Sequence, residues 1–184
     1  IALFRQAVDT RSHTSHLRES EARVSFGTRW VRKSIVEIFQ EDIARFRTLV
    51  GTDLDEDPMA VLDRGELPQL KALRLHNGTI YRWNRPCFGV TNGKAHLRIE
   101  NRVMPAGPSV VDEVANGAFW FGMMAELGAR GFEADKRMDF DAAGSNFYTA
   151  AREGLGSTVS WLGGKDVAAV PLVLDKLLPI AESG

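Results

Sequence analysis

Four side chains that could do chemistry alternate along one short segment of the chain. Residues 95–103 carry an ionisable group at every second position, namely His96, Arg98, Glu100 and Arg102. Because successive side chains of a β-strand point to opposite faces, these four would share one face. A carboxylate between two guanidiniums suits a metal ion and anions such as phosphate or carboxylate. The segment therefore predicts a charged site on one face of a strand.

Each of these groups also has a structural alternative. Glu100 could ligate Mg²⁺ or Mn²⁺, although one carboxylate needs further ligands, and cross-strand ion pairing is the competing interpretation. Arg98 and Arg102 could stabilise negative charge in phosphoryl or acyl-phosphate chemistry, or each could pair with Glu100. His96 could donate to a bound anion, shuttle a proton or bind a metal, but a lone histidine is more often structural. Two guanidiniums for one carboxylate leave a surplus positive charge, which favours an anionic ligand.

Two more arginines precede this segment. Arg82 and Arg85 are three residues apart, so a regular strand would place them on opposite faces. Arg85 lies at the expected end of the strand, and we favour it as the arginine that shares the face of Glu100. Cys87 is the one cysteine of the chain, and with no activating partner in the sequence we expect it to be inert.

A hairpin is needed to bring these side chains together. The sequence predicts a turn at residues 76–78, a strand from Thr79 to Asn84, and Pro86 at the end of that strand or on a sheet edge. A second turn, Thr-Asn-Gly-Lys at residues 91–94, leads into the charged strand. Two strands joined by a short connection that contains glycine predict an antiparallel hairpin.

Helices are expected on both sides of this hairpin. Apolar residues at three- and four-residue steps predict an amphipathic helix from Thr28, as its N-cap, to Val50. Further helices are predicted from Pro58, over Pro68–Leu75, from Ser109 to about Ala129, over Asp139–Leu155 and over Val167–Ala181. The fold class that follows is α+β, a small antiparallel sheet packed with several helices in one domain over residues 1–184.

Composition narrows the classes of function. The net charge of -1 argues against a nucleic-acid partner, and no apolar run approaches the length of a membrane span. A single cysteine suits a reducing compartment, so we expect a cytoplasmic protein. The chain has neither a G-x-x-x-x-G-K-[ST] nor a G-x-G-x-x-G loop. A bound nucleotide would therefore be held by a sheet face and its arginines.

Several short motifs together resemble those of one enzyme family. They are HNGT at residues 76–79, WNRP at 83–86, HLRIENR at 96–102 and DEVAN at 112–116. In this combination the chain resembles the type 2 glutamate–cysteine ligases, also called carboxylate–amine ligases, and the likeness covers most of its length. A strand of the form Arg-x-Glu-x-Arg before a helix that bears an asparagine is also similar to the catalytic core of glutamine synthetase.

The resemblance implies an ATP-dependent ligase with a glutamine synthetase-like catalytic domain. ATP would phosphorylate the carboxylate of a glutamate-like acid, and an amine would attack the acyl phosphate to form an amide, with Mg²⁺ or Mn²⁺ bridging the phosphates. Carried over by position, Glu100 would ligate the metal, Arg98 and Arg102 would contact phosphate or acyl-phosphate oxygens, and Arg85 would bind a substrate carboxylate or phosphate. Family members are longer, and their first strands supply further carboxylates. We therefore expect the C-terminal portion of a catalytic domain, which needs the N-terminal part and is inactive alone.

Two further hypotheses belong to other classes of function. In one, the arginines bind a nucleotide or another anion without catalysis, and Glu100 plays no part as a metal ligand. In the other, the charged face is an interface between domains or between subunits, which includes a homo-oligomer. The acid and the amine cannot be named from the sequence.

Overall fold

The computed structural model describes residues 1–8, 22–51, 56–104 and 106–184. The chain divides into two compact units, one formed by Ile1–Gly27 with Val31–Val103 and the other by Thr28–Trp30 with Met104–Gly184. Helices and small two-stranded sheets make up the described residues, so the predicted α+β class is confirmed. No helix in these ranges has both the length and the apolar character needed to cross a membrane.

The first unit carries an antiparallel hairpin whose turn and second strand were predicted, while its first strand lies over Asn84–Thr91 instead of Thr79–Asn84. In chain order its described elements are α1 (Ala2–Ala7), β1 (Val24–Ser25), α2 (Val36–Arg45), α3 (Pro58–Asp63), α4 (Lys71–Gly78), β2 (Tyr81–Arg82), β3 (Asn84–Thr91) and β4 (Lys94–Asn101). Strands β3 and β4 are antiparallel, and β1 pairs with β2 in parallel. The buried apolar side chains of this unit are Val24, Phe39, Phe46, Ile80 and Trp83.

The turn of the hairpin is the predicted one. Thr91 pairs with Lys94, and the two residues between them, Asn92 and Gly93, have φ angles of 51° and 70°. Positive φ at both positions defines a type I′ turn, which Asn-Gly adopts at low cost and whose twist matches that of the strands. This turn fixes the register, so that Glu100 lies opposite Arg85.

The strand before the hairpin differs from the prediction. Instead of one strand over Thr79–Asn84, β2 stops at Arg82 and β3 begins at Asn84. Trp83 lies between them, donating its N–H to Ser25 O (3.3 Å) and accepting at its carbonyl from Arg102 N–H (2.9 Å). The chain thus changes pairing partner at Trp83, which alternation of side chains cannot indicate. Pro86 lies inside β3, on a two-stranded ladder where its missing N–H is tolerated.

The predicted turn at residues 76–78 is wrong, because these residues form the last turn of α4. The helix predicted over Pro68–Leu75 is therefore shifted towards the C-terminus. Leu70 precedes it with a positive φ of 47°, and its N–H and that of Gln69 donate to the carboxylate of Glu56. An Asn-Gly pair favours a turn only where no helix already satisfies its backbone groups.

The long helix predicted over Thr28–Val50 is shorter at both ends. At its start, the Glu37 carboxylate accepts N–H groups from Lys33 (2.6 Å) and Ser34 (3.1 Å), so the helix begins after this local cap. At its end, Phe46 adopts an extended conformation and its carbonyl accepts from His76 Nε2 (2.9 Å). Capping and burial thus end a helix that the apolar periodicity alone would continue.

Helices dominate the second unit. Its described elements are α5 (Val110–Ala129), a 3₁₀ turn (Ala134–Lys136), α6 (Phe140–Glu153), a second 3₁₀ turn (Gly154–Gly156), β5 (Thr158–Trp161), β6 (Lys165–Ala168), α7 (Ala169–Leu172), a π-helical turn (Val173–Leu177) and α8 (Leu178–Ser183). Ser109 caps α5 by accepting from Asp112 N–H, as the capping pattern predicts. The hairpin of β5 and β6 was not predicted, although Gly163 and Gly164, both at φ of 73°, mark its turn.

Candidate functional site

The centre of the candidate site is an ion pair across the hairpin. Arg85 and Glu100 face each other in the β3–β4 register, and the Arg85 Nε and Nη2 atoms donate to Glu100 Oε2 at 2.9 and 2.6 Å. The Arg85 side chain is 14% exposed and the Glu100 side chain 39% exposed. The structure thus confirms that Arg85, rather than Arg82, shares the face of Glu100.

Arg102 approaches the same carboxylate from the other side. Its Nη2 lies 3.1 Å from Glu100 Oε1, so the two residues share one side of the hairpin as predicted. The guanidinium lies over the ring of Tyr81, 5.3 Å from the ring centroid, a cation–π contact that holds it in place. Arg102 Nε is buried without a hydrogen-bond partner among the described residues. This guanidinium is therefore held in place but not saturated.

Like Lys94 at the turn end of β4, Arg98 is a cation of this face that has no ion pair among the described residues. It lies opposite Cys87, whose Sγ is 3.7 Å from Glu100 Oε2, which places Arg98 on the face of Glu100. Arg98 is exposed and makes no hydrogen bond or ion pair with any described residue. With Lys94, Arg85, Arg98 and Arg102 against Glu100, the face carries a net charge of about +3 before His96 is counted.

His96 lies at the turn end of the same face. Its ring stacks over Gly89, where an added Cβ would come within 2.6 Å of the imidazole, and its Nε2 lies 3.0 Å from Thr91 Oγ1. Its Nδ1 is buried with no hydrogen-bond partner in the described part of the chain. The imidazole therefore has a structural place over a glycine, and its role as a ligand for phosphate stays a prediction.

The two arginines keep the central carboxylate ionised. Partial burial acts to raise the pKa of Glu100, but the hydrogen bond and charge of Arg85, followed by those of Arg102, outweigh it and lower this pKa below its ordinary value. Glu100 is thus a fixed negative charge between two guanidiniums, while Arg98 is left uncompensated.

Arg85 has further partners that the sequence did not indicate. Its Nη1 donates to the main-chain oxygen of Asn77 (3.2 Å) at the C-terminal end of α4, where unpaired carbonyls attract a cation. The Asn77 side chain in turn donates to Pro86 O (2.8 Å). A helix end therefore orients the arginine that binds Glu100. This contact could not be predicted, because residues 76–78 were expected to form a turn rather than the C-terminal end of a helix.

A second buried ion pair lies behind β2. Arg82 and Asp42 are 5% and 2% exposed, and Arg82 Nε donates to Asp42 Oδ1 at 2.8 Å. Arg82 Nη2 also lies 2.7 Å from that oxygen and 3.2 Å from a Glu41 oxygen, as ion pairs without hydrogen-bond alignment. Arg82 was considered only as an alternative to Arg85. Its partner lies on α2, forty residues earlier, and alternation along a strand gives no information on such a distant contact.

The charged face by itself does not fit a metal site. Both oxygens of Glu100 already contact guanidiniums, and the described residues contain no cluster of three or more His, Cys, Asp or Glu side chains that could hold a metal ion. Mg²⁺ is usually held by one or two carboxylates together with substrate phosphates, and the one carboxylate of this face is already engaged by two guanidiniums. Glu100 as a metal ligand stays a prediction that needs further ligands.

The opposite face of the hairpin borders an apolar groove of about 550 Å³. Phe39, Ile43, Leu73, Phe88 and Leu97 contribute to its lining. Leu97 is 47% exposed, and its neighbour on the same face, Ile99, is 53% exposed. The hairpin is therefore uncovered on much of its apolar side within the described part of the chain.

Comparison of the chain with protein-family models, with curated proteins and with solved structures gives no match. The likeness to the carboxylate–amine ligases thus rests on the motifs in the sequence, and the geometry of the hairpin is an independent observation.

Proposed function

We propose that this chain is part of an ATP-dependent carboxylate–amine ligase of the glutamate–cysteine type, and that its charged hairpin face binds the phosphate groups. The observation that carries this proposal is that Arg98, exposed and without a partner among the described residues, lies on the same face of the hairpin as Glu100 and Arg102. An acyl phosphate and the departing phosphate both carry negative charge on oxygen. Guanidiniums pair with such oxygens, and Arg102, which is held by Glu100 and by the ring of Tyr81, is already oriented before the anion arrives.

The roles of the four groups follow from their contacts. Arg98 is exposed and has its donors left to receive phosphate or acyl-phosphate oxygens, and Arg102, whose side chain is 22% exposed, would add its positive charge beside them. Arg85 spends its donors on Glu100 and Asn77 O, so its part is to hold Glu100, and contact with a substrate carboxylate needs a rearrangement. Mg²⁺ or Mn²⁺ would accompany ATP, with Glu100 as one candidate ligand. The described residues alone give no further ligand, so no step is assigned to a metal here.

The fold family, the substrates and the location in the cell are proposed from the resemblance to the carboxylate–amine ligases. The chain would belong to a glutamine synthetase-like catalytic domain, take a glutamate-like acid and an amine as substrates, and act in the cytoplasm. It would need the N-terminal part of the family's catalytic domain for turnover. An amide bond would form when the amine displaces phosphate from the acyl phosphate.

The proposal is tested in two steps. Titration of the chain with ATP, in Mg²⁺ and in excess EDTA, measures nucleotide binding through the change in tryptophan fluorescence, because the Trp83 carbonyl accepts the N–H of Arg102. In the protein that includes the family's N-terminal strands, release of ADP with glutamate and an amine measures ligation. Glu100→Ala should abolish ligation while the circular dichroism spectrum is unchanged. Wild-type ADP release by that variant would contradict the ligase proposal.

The contacts of Glu100 with two arginines favour a second candidate function. Because both of its oxygens contact arginines, the face can receive an anion with no metal present. Nucleotide binding that is equal with Mg²⁺ and with EDTA, and equal in wild type and Glu100→Gln, would favour a non-catalytic anion-binding module.

A further inference from the structure

We propose that the buried Asp42–Arg82 ion pair is a proton-sensitive positioning device for Arg102, and that protonation of Asp42 weakens the hold of the hairpin on anions. This inference rests on the proposed function, because it concerns the regulation of the same anion-binding face. Asp42 and Arg82 touch neither the anion nor the reacting atoms and act through other residues.

Arg82 contacts one of the two carboxylate oxygens of Asp42 and leaves the other without a hydrogen bond among the described residues. Both contacts from Arg82 reach the Oδ1 atom, while Oδ2 is buried and accepts no hydrogen bond from any described residue. A buried carboxylate oxygen without a donor is costly, and a proton on that oxygen would relieve the cost. The geometry therefore leaves one place on this pair where a proton can add without displacing a contact.

The segment anchored by this pair is the one that holds Arg102. Tyr81 and Trp83 flank Arg82 in the sequence and direct their rings to the other side, where both contact the ring of Phe4 at centroid distances of 5.8 Å. The Tyr81 ring lies under the Arg102 guanidinium, and the Trp83 carbonyl accepts the Arg102 N–H at 2.9 Å. Arg82 thus fixes the middle of a three-residue segment whose two ends orient Arg102.

Charged groups reach Asp42 from each element packed around it. Glu41 and Arg45 lie on α2 itself and form an ion pair at 2.5 Å, Arg82 comes from β2, and His76 comes from α4. Burial raises the pKa of Asp42, and this effect outweighs the hydrogen bond and charge of Arg82. The pKa of Glu100 is lowered, so the two carboxyl groups titrate in separate ranges of pH.

Protonation of Asp42 would change the anchor without unfolding the chain. Arg82 would keep a neutral oxygen in place of a carboxylate, and Glu41 would be its remaining anionic partner. A charge-assisted hydrogen bond is roughly twice as strong as a neutral one, so the segment would be held more loosely. Because the pKa of Asp42 is raised by folding, the folded chain binds this proton more tightly than the unfolded chain does. Protonation of Asp42 would therefore not weaken anion binding by unfolding the chain. A loss of anion affinity on acidification would instead come from a looser hold on Arg102.

The test follows two groups in the same sample of the chain. Nuclear magnetic resonance records the signals of the Asp42 carboxyl carbon and of the Arg102 Nε–H from about pH 7.5 to about pH 4. The first signal is assigned by its loss in Asp42→Asn, and the second by its loss in Arg102→Lys. Sulfate is the probe anion, because its charge is constant over this range. We expect the Arg102 signal to move with the midpoint of the Asp42 carboxyl, and the sulfate dissociation constant to rise about fivefold across it.

Variants separate this inference from the proposed function. Asp42→Asn should show the weak sulfate binding at every pH, while Glu66→Gln, which removes an exposed carboxylate of the same unit, should behave as wild type. If Asp42→Asn does not fold, the wild-type titration decides alone. An Arg102 signal and a sulfate affinity that ignore the titration of Asp42 would overturn the inference. A wild-type chain that binds no sulfate at any pH would overturn the proposed function instead, and an Arg102 signal that still follows Asp42 would support the positioning.

Discussion

Arg85 donates through both Nε and Nη2 to a single oxygen of Glu100, the residue directly opposite it in the hairpin. This leaves the second oxygen, Oε1, to Arg102 at 3.1 Å. One carboxylate thus accounts for two of the three arginines on this face. Arg98 has no partner among the described residues, and the anion-binding proposal depends on this uncompensated positive charge.

The first prediction concerns Arg98. Arg98→Gln should weaken binding of ATP or sulfate about tenfold, because one charge-assisted contact to an anion is lost. Its midpoint of unfolding in urea should match wild type, since the side chain is exposed and unpaired. Arg74→Gln is the matched control, because Arg74 is exposed on α4 and loses the same charge. Equal affinities for the two variants would contradict a role for Arg98 in the site.

The second prediction concerns the pH dependence that Glu100 contributes. Its pKa is lower in the folded chain than the ordinary 4.5, so its contribution to stability is present above that value and is lost as the pH falls through the lowered pKa. The contribution should be below about 1 kcal/mol, because solvent screens a side chain that is 39% exposed. Urea unfolding of wild type and Glu100→Gln between about pH 2 and about pH 7 measures it. A difference in unfolding free energy that does not shrink at low pH would contradict this assignment.

The third prediction concerns the buried pair behind β2. Asp42→Ala should lower the free energy of unfolding by about 3–5 kcal/mol, because it leaves the Arg82 charge buried with Glu41 as its remaining acidic partner among the described residues. The double variant Asp42→Leu with Arg82→Met should recover most of that loss, since both charges are then removed together. A double variant as unstable as the single one would show that the pair is needed for packing rather than for charge balance.

The fourth prediction concerns the contact between α5 and α8. A Cβ at Gly122 would clash with the Ala181 carbonyl oxygen, so Gly122→Ala should destabilise the second unit by about 1–3 kcal/mol. Gly117→Ala on the same helix is the control, because nothing lies within 4 Å of its Cβ position. Alanine favours a helix over glycine, so this control should gain up to about 1 kcal/mol. Thermal unfolding of both variants checks the difference, and equal melting temperatures would contradict it.

The hairpin shows which structural features follow from residues that are close in sequence. Its turn, its register and the common face of Glu100, Arg98 and Arg102 follow from an Asn-Gly pair and from alternation along two strands. These are properties of residues close in sequence, so they could be predicted. The start of α2 and the pairing switch at Trp83 could not, because each depends on hydrogen bonds that compete with the local pattern.

The sequence by itself determined which side chains face each other across β3 and β4, since strand geometry and turn chemistry leave no other register once the Asn-Gly turn forms. Only the tertiary structure decided which of them remain free. Arg85 is committed by the carbonyls at the end of α4, Arg102 by the ring of Tyr81, and Arg82 by Asp42 on α2. The physical reason is that a charged side chain binds the partner that the fold brings close to it, and each of these partners lies on an element other than the one that carries the arginine.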